Sequence, residues 1–90
     1  MDQLVVTIYS RPGCHLCDEM KALVERAAER VPLTLESIDI SADPRLEELY
    51  GPEIPVLMID GRKAAKYRIE EARLLRLLRE RRTNAPERAE

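Results

Sequence analysis

Apolar and polar positions along this chain follow two periods, which predict its strands and helices. Leu4–Tyr9 is β-branched and apolar on both faces, which is typical of a central strand covered on both sides. From Cys14 to about Arg30 apolar residues recur at helical spacing, and Pro32 stops that helix. Leu33–Ile40 mostly alternates and predicts a second strand. A strand, a helix and a second strand in this order predict a right-handed unit with parallel strands.

The second half of the chain predicts a short helix and a hairpin. Asp43 is placed as the N-cap of a helix over about 44–50, with a proline at its first position. Ile54–Ile59 predicts a third strand, which contains a proline near its start. Asp60-Gly61 is the strongest two-residue hairpin signal and leads into a fourth, antiparallel strand over about Arg62–Tyr67.

A final helix is predicted from Glu70 to about Arg82, and the polar residues 83–90 are predicted to form a frayed tail. The element order β-α-β-α-β-β-α predicts one α/β domain over residues 1–82. No internal repeat, linker or second domain is indicated.

The composition limits the size of the domain, the make-up of its core and the partners to be expected. Ninety residues allow one small domain, and with 44% hydrophobic residues but no Phe or Trp its core must be aliphatic. The net charge of −2 gives no reason to expect a nucleic acid or a membrane as partner. Residues 61–90 nevertheless carry ten basic and five acidic residues, and residues 1–60 carry five and twelve. We interpret the basic excess as a solvated face of the last strand and helix.

Targeting and cysteine usage predict a cytoplasmic protein. The start of the chain lacks a basic signal-peptide region, and no apolar segment approaches the ~18 residues of a membrane span. Two cysteines cannot form the disulfide framework of a small secreted domain. We expect a monomer.

The two cysteines, Cys14 and Cys17, stand between the first strand and the first helix. A cysteine at a helix N-terminus is favoured as thiolate by unpaired N–H groups and the positive end of the helix dipole, so its pKa can fall from about 8.5 to ~3.5–7.5. The second cysteine lies about one turn further along the same face. The spacing therefore predicts a dithiol redox site, in which Cys14 is the nucleophile and Cys17 the resolving thiol.

Alternatives remain open around this site. The cysteines could instead be structural or hold a metal, but a metal needs about four ligands, and one chain offers Cys14, Cys17 and His15. The imidazolium of His15 either stabilises the Cys14 thiolate or is an exposed side chain without a role. Arg11 either holds a carboxylate or is a solvated loop residue. The residues alone leave open whether Pro55 has a cis or a trans peptide bond.

Three features carry a resemblance to a known family: the motif Cys14-His15-Leu16-Cys17, Arg11 three residues before it, and Ile54-Pro55 followed by Asp60-Gly61. Over about residues 4–80, the chain resembles a glutaredoxin of the thioredoxin-fold superfamily. The chain is most similar to small glutaredoxin-like proteins of bacteria. The resemblance implies a thioredoxin fold with a four-stranded mixed sheet flanked by helices.

The same resemblance implies roles for three residues outside the cysteine motif. Ile54 and a cis Pro55 would shape the substrate groove, and Arg11 would lie near glutathione. Glutaredoxins carry a Gly-Gly pair with a nearby Asp before the last helix, which helps to bind glutathione. Here Ala65 and Lys66 stand at the glycine positions, and this stretch has no Asp.

We therefore expect a thiol–disulfide oxidoreductase that reduces protein or glutathione mixed disulfides through Cys14 and Cys17 and has no bound cofactor. Glutathione or a thioredoxin-type reductase would be the reductant. The alternative is a carrier or binding module of the same fold that holds an iron–sulfur cluster or a metal.

Overall fold

The computed structural model describes the backbone of residues 3–88 and the side chains of residues 3–82. Four strands form one sheet, in the spatial order β2-β1-β3-β4. The strands are β1 (Leu4–Ser10), β2 (Leu33–Asp39), β3 (Val56–Ile59) and β4 (Arg62–Lys66), and the helices are α1 (His15–Ala27), α2 (Pro44–Tyr50) and α3 (Glu71–Arg88). The predicted element order and mixed sheet are confirmed.

β1 lies in the middle of the sheet and is parallel to β2 and antiparallel to β3. Its pairing with β2 runs from Leu4 opposite Leu33 to Ser10 opposite Asp39. A 13-residue helix connects these two strands, as a parallel crossover requires. The carboxyl ends of β1 and β2 therefore meet at one end of the sheet, where the cysteine loop begins.

The predicted hairpin between β3 and β4 is present. Asp60 and Gly61 have φ angles of 51° and 83°, which are the two positive values that a type I′ turn needs. Asp60 also joins the turn to the neighbouring strand, because its N–H donates to the Val5 carbonyl at 2.8 Å and its Oδ1 accepts the Val5 N–H at 2.9 Å. Its Oδ2 accepts a hydrogen bond from Arg81 Nε of α3 at 3.3 Å.

An aliphatic core lies between one face of the sheet and two helices. The β1 side chains of this face are fully buried against α1 and α3, and among these core residues are Leu4, Val6, Ile8, Val24, Leu74 and Leu78. Each such side chain contributes about 1.5–3 kcal/mol through its removal from water. The absence of Phe and Trp from the sequence therefore leaves a core built from branched aliphatic groups, as predicted.

The opposite face of β1 differs from the prediction. Val5 is 38% exposed, so the expectation of a strand covered on both faces is wrong at this position. Both α1 and α3 lie on the other face, and the seven residues of α2 reach only the far end of the strand. There the Tyr9 ring stacks on Tyr50 of α2 with ring centroids 4.5 Å apart.

The ends of two helices also differ from the predicted ones. α1 ends at Ala27 rather than near Arg30, because the N–H groups of Arg30 and Val31 both donate to the Ala27 carbonyl and close a turn. α3 reaches Arg88, six residues past the predicted end at Arg82, although Pro86 lies within this stretch and has no N–H to donate to the helix. The division into a domain over 1–82 and a frayed tail over 83–90 stays a prediction, and residues 89–90 lie outside the described part.

Candidate active site

The loop after β1 places Cys14 at the start of α1. Gly13 adopts a φ of 80°, a left-handed conformation that glycine takes without steric cost, and the Cys14 N–H donates to the Arg11 carbonyl at 3.2 Å. The turn stops the strand and leaves Cys14 in an extended conformation, with φ −88° and ψ 111°, as the N-cap residue of α1. The short run Arg11–Gly13 thus converts the end of a strand into the beginning of a helix.

The two cysteines are joined by a disulfide, with their Cα atoms 5.2 Å apart. The Cys14 Sγ accepts a hydrogen bond from the Cys17 N–H at 3.1 Å, as the side chain of an N-cap residue does. In the reduced protein, the same N–H and the positive end of the helix dipole would favour a thiolate at Cys14.

Burial separates the two cysteines. Cys14 is half-buried at the edge of the site, whereas Cys17 is only 3% exposed and belongs to the buried side of α1. A reagent from solvent therefore reaches the Cys14 sulfur more easily than the Cys17 sulfur.

Arg11 lies beside the dithiol loop and is held by an acid of α2. Its Nη2 is 2.7 Å from Glu47 Oε1, and its Nε donates to Glu47 Oε2 at 3.2 Å. This bidentate hydrogen bonding raises the pKa of the Arg11 guanidinium above its ordinary value. The residue predicted to hold a substrate carboxylate thus already binds an internal one.

His15 is the first residue of α1, and its side chain is 86% exposed. Its Nε2 lies 2.9 Å from Glu19 Oε2, one turn further along the helix. The structure thus shows a contact with Glu19, and the influence of His15 on the Cys14 pKa stays a prediction.

Ile54 and Pro55 precede β3 at the same end of the sheet as the cysteines. The peptide bond between them is cis, as the family resemblance implied, and Pro55 is fully buried. The register pairs Tyr9 with Val56, which places this turn beside the end of β1 that leads to the dithiol. Ile54 is half-buried.

Tyr67 connects the turn that contains Pro55 to the end of β4 through two hydrogen bonds. Its N–H donates to the Pro55 carbonyl at 2.8 Å, and its hydroxyl donates to the Pro52 carbonyl at 3.1 Å. Tyr67 adopts a φ of 68°, which is uncommon for a side chain of this size. Sequence reasoning missed this residue, because an aromatic residue at the end of a strand gives no signal for a left-handed conformation.

Two acids beside the site were also missed. Glu47 binds Arg11 from 36 positions away, and Glu53 lies 2.8 Å from the Lys63 ammonium and 3.6 Å from that of Lys66. The hydrogen bond from Lys63 lowers the pKa of Glu53. Neither pair follows a helical or strand period, so only the opposite charges could have suggested them.

A metal centre needs about four ligands that lie close together. Residues 3–82 contain no group of three or more His, Cys, Asp or Glu side chains arranged to hold a metal ion. An iron–sulfur cluster is usually held by four thiolates, whereas the complete sequence has two cysteines. The residues of one chain therefore do not fit a cluster, and the carrier alternative would require ligands from a second molecule.

Comparison with known proteins assigns this chain to a protein family. The profile of the family described as "Glutaredoxin-like domain (DUF836)" matches residues 5–79. The chain belongs to this family. The Dictyostelium discoideum protein named "Glutaredoxin-like protein YDR286C homolog" is 33% identical over 75 residues, which cover 77% of this chain and 69% of the relative.

Solved structures show the same fold. The solution structure of protein Ne2328 from Nitrosomonas europaea matches with a TM-score of 0.75 at 28% identity, over 87% of this chain and 94% of that one. A mutant thioredoxin from Halobacterium salinarum matches with a TM-score of 0.66 at 23% identity, over 88% and 74% of the two chains. The predicted thioredoxin fold is thereby confirmed, and a cysteine pair at disulfide distance in this glutaredoxin-like fold supports a redox function.

A groove of about 940 Å³ opens next to the dithiol of this glutaredoxin-like domain. It lies between α1 and the segment that joins β4 to α3, and Leu16, between the two cysteines, forms part of its wall. Sequence reasoning did not predict it, because its two sides are about fifty residues apart.

Among residues 3–88, no helix is long and apolar enough to cross a membrane.

Proposed function

We propose that this protein is a thiol–disulfide oxidoreductase in which Cys14 attacks the substrate and Cys17 resolves the intermediate. The observation that carries the proposal is the unequal placement of the two sulfurs at the start of one helix. Cys14 is the half-buried N-cap residue and accepts an N–H hydrogen bond, whereas Cys17 is 3% exposed. The attacking thiol must meet a substrate from solvent, and the resolving thiol needs to reach only Cys14.

The reaction balances over two exchanges. The Cys14 thiolate attacks one sulfur of the substrate disulfide, so that a Cys14–substrate disulfide forms while the substrate S–S bond breaks. The departing thiolate takes a proton and leaves as a thiol. Cys17 then loses its proton to solvent, and its thiolate attacks the Cys14 sulfur and releases the second substrate thiolate, which is protonated in turn. The substrate gains two electrons, and the protein is left with the Cys14–Cys17 disulfide of this structure.

Ile54 and Pro55 are proposed to line the place where the substrate disulfide lies. Both residues are at the end of the sheet that carries the dithiol, and the hydrogen bond between the Tyr67 N–H and the Pro55 carbonyl fixes their turn to β4. A turn held on both sides gives an incoming chain a constant surface to contact. Because Pro55 is fully buried, Ile54 offers the more accessible side chain of the two.

Glutathione is proposed to be a poor partner for this site, either as reductant or as part of a mixed disulfide. Arg11 is held by Glu47, and Lys66 is within 3.6 Å of Glu53, so a glutathione carboxylate that approaches either of these two cations must compete with an internal one. Ala65, where glutaredoxins have a glycine, adds a side chain beside the expected position of the tripeptide. A protein dithiol of the thioredoxin-reductase type is the reductant that we favour, acting on a monomer in the cytoplasm.

The test is to trap the intermediate. Cys17→Ser should accumulate mixed disulfides at Cys14 when it is mixed with a protein disulfide, because no second thiol releases the substrate. Cys14→Ser, the matched control, retains one cysteine but should trap almost nothing, since its sulfur is buried. Non-reducing electrophoresis and mass spectrometry of the adducts give the readout, and equal trapping by the two variants would contradict the assigned roles.

A further inference from the structure

The groove beside the dithiol has the length and surface of a peptide site. Along α1 it extends from Leu16 to Arg26, which is ten residues or about 15 Å. That distance matches about four or five residues of extended chain at ~3.3 Å each. Apolar side chains form part of its surface, among them Leu23, Ala65 and Ile69. A small disulfide would fill only part of this length.

The charges of the groove are unbalanced, and three of its cations are available. Arg26, Arg68 and Arg73 line it and are exposed. None of the three side chains has an ion pair or hydrogen bond with any group in the part of the chain that the structure describes. Four basic side chains in total face two acidic ones, Glu19 and Glu70.

The other side of the dithiol behaves differently. There the Arg11 guanidinium is 2.7 Å from Glu47, and the Lys63 ammonium is 2.8 Å from Glu53. An anion arriving on that side must displace an internal carboxylate, whereas an anion arriving in the groove meets three arginines whose side chains pair with no carboxylate of residues 3–82. Guanidinium groups bind carboxylates in a bidentate manner, so the groove favours aspartate and glutamate side chains.

We propose that this groove binds an extended, acidic segment of a protein disulfide substrate, next to the cysteine that Cys14 attacks. The proposal rests on the proposed oxidoreductase function and adds the substrate class. Side chains alternate along an extended peptide, so apolar ones contact the apolar surface while acidic ones reach the arginines.

The test uses synthetic peptides of eleven residues that carry a central cysteine as a mixed disulfide with 2-mercaptoethanol. One peptide has Asp and Leu alternating on both sides of the cysteine, and the other has Lys and Leu. The fully reduced protein is mixed in excess with each peptide at low salt, and single-turnover rates are followed by release of the peptide thiol. Bis(2-hydroxyethyl) disulfide, which is small and uncharged, serves as a third substrate.

We expect the acidic peptide to be reduced about ten-fold faster than the basic one, with a smaller difference at high salt. The double variant Arg68→Glu/Arg73→Glu should lower the rate with the acidic peptide about five- to thirty-fold and leave the uncharged disulfide unaffected. The control Arg45→Glu/Arg62→Glu makes the same change in charge outside the groove and should retain the preference. Equal losses in both double variants, or an unchanged preference in the groove variant, would overturn the proposal.

A binding measurement separates this proposal from the oxidoreductase function. The acidic peptide with serine in place of its cysteine is titrated against the protein by fluorescence anisotropy, and no reaction is needed. Binding that the groove variant loses and the control keeps supports the groove even if no disulfide is reduced, in which case only the oxidoreductase proposal fails. Reduction of the uncharged disulfide without any selective peptide binding would refute the groove and leave the oxidoreductase proposal standing.

Discussion

Asp60 is expected to be the polar residue whose replacement costs this domain the most stability. Its backbone and side chain join the β3–β4 turn to Val5 of β1 through hydrogen bonds of 2.8 and 2.9 Å, and its second carboxylate oxygen accepts from Arg81 of α3 at 3.3 Å. Its φ of 51° is one that Asp tolerates better than Ala does. We therefore predict that Asp60→Ala lowers the free energy of unfolding strongly.

The magnitude follows from three losses. A hydrogen bond from the Val5 N–H to a charged acceptor contributes about 1.5–3 kcal/mol. The half-exposed contact with Arg81 adds about 0.2–1 kcal/mol, and an alanine in the left-handed region costs about 1–2 kcal/mol. We expect a total of about 3–6 kcal/mol, out of roughly 5–13 kcal/mol for a domain of this length. At about 4–8 °C per kcal/mol, the Tm should fall by about 12–48 °C.

Urea and thermal unfolding, followed by circular dichroism, measure this change. Asp60→Asn is the matched variant, because it keeps an acceptor oxygen and the tolerance of a positive φ but loses the charge, and it should cost only about 0.5–1.5 kcal/mol. Below its Tm, the Asp60→Ala variant should retain disulfide reduction, since the turn is at the end of the sheet opposite the dithiol. Equal destabilisation by Ala and Asn would show that the charge, and not the hydrogen bond to Val5 or the backbone angle, holds the hairpin.

Three further predictions concern the site and its surroundings. In the reduced protein at pH 6, iodoacetamide should label Cys14 before Cys17, as peptide mapping would show, and the reverse order would contradict the assignment of the nucleophile. Glu47→Ala should free Arg11 and lower the KM for glutathione about two- to five-fold in a coupled assay, whereas Glu48→Ala, with the same charge change next to it, should not. The pKa of Glu53 is lowered from 4.5, so its stabilising effect is present above about pH 4.5 and is lost as the pH falls through its folded-state pKa. Glu53→Gln should therefore flatten the acid side of a plot of urea midpoint against pH, and an unchanged slope would show that the pair with Lys63 does not matter.

Local sequence signals were sufficient to predict most of the strands, helices and turns of the fold. The Asp60-Gly61 pair predicted the hairpin because few residues adopt the two positive φ angles that a tight turn needs. Asp43 predicted the start of α2, and its Oδ1 indeed accepts the Arg45 N–H at 2.9 Å. Such features depend on residues within three or four positions of one another, so they can be predicted before the tertiary structure is known.

Features that depend on which face a helix covers could not be predicted in the same way. The apolar run of β1 indicated burial on both faces, yet Val5 is exposed because α1 and α3 lie on the same side of the sheet. The pair between Arg11 and Glu47 likewise joins residues 36 positions apart. The sequence predicted that Arg11 is near the site, but only the folded chain shows what it binds.

The basic residues of the segment 61–90 differ in role, and the difference depends on whether an acidic side chain of the same chain pairs with them. As a sequence pattern their excess was interpreted as a solvated face, and for Arg76, which is exposed and lies outside the groove, that interpretation suffices. Arg81, in contrast, contributes to the hairpin by binding Asp60. Arg68 and Arg73 line a groove that begins at Leu16, next to the dithiol, and neither side chain has an acid of residues 3–82 as a partner. Arginines that are close in sequence thus stabilise the fold where a carboxylate of the chain reaches them, as at Arg81, and are proposed to bind a partner where no described carboxylate does.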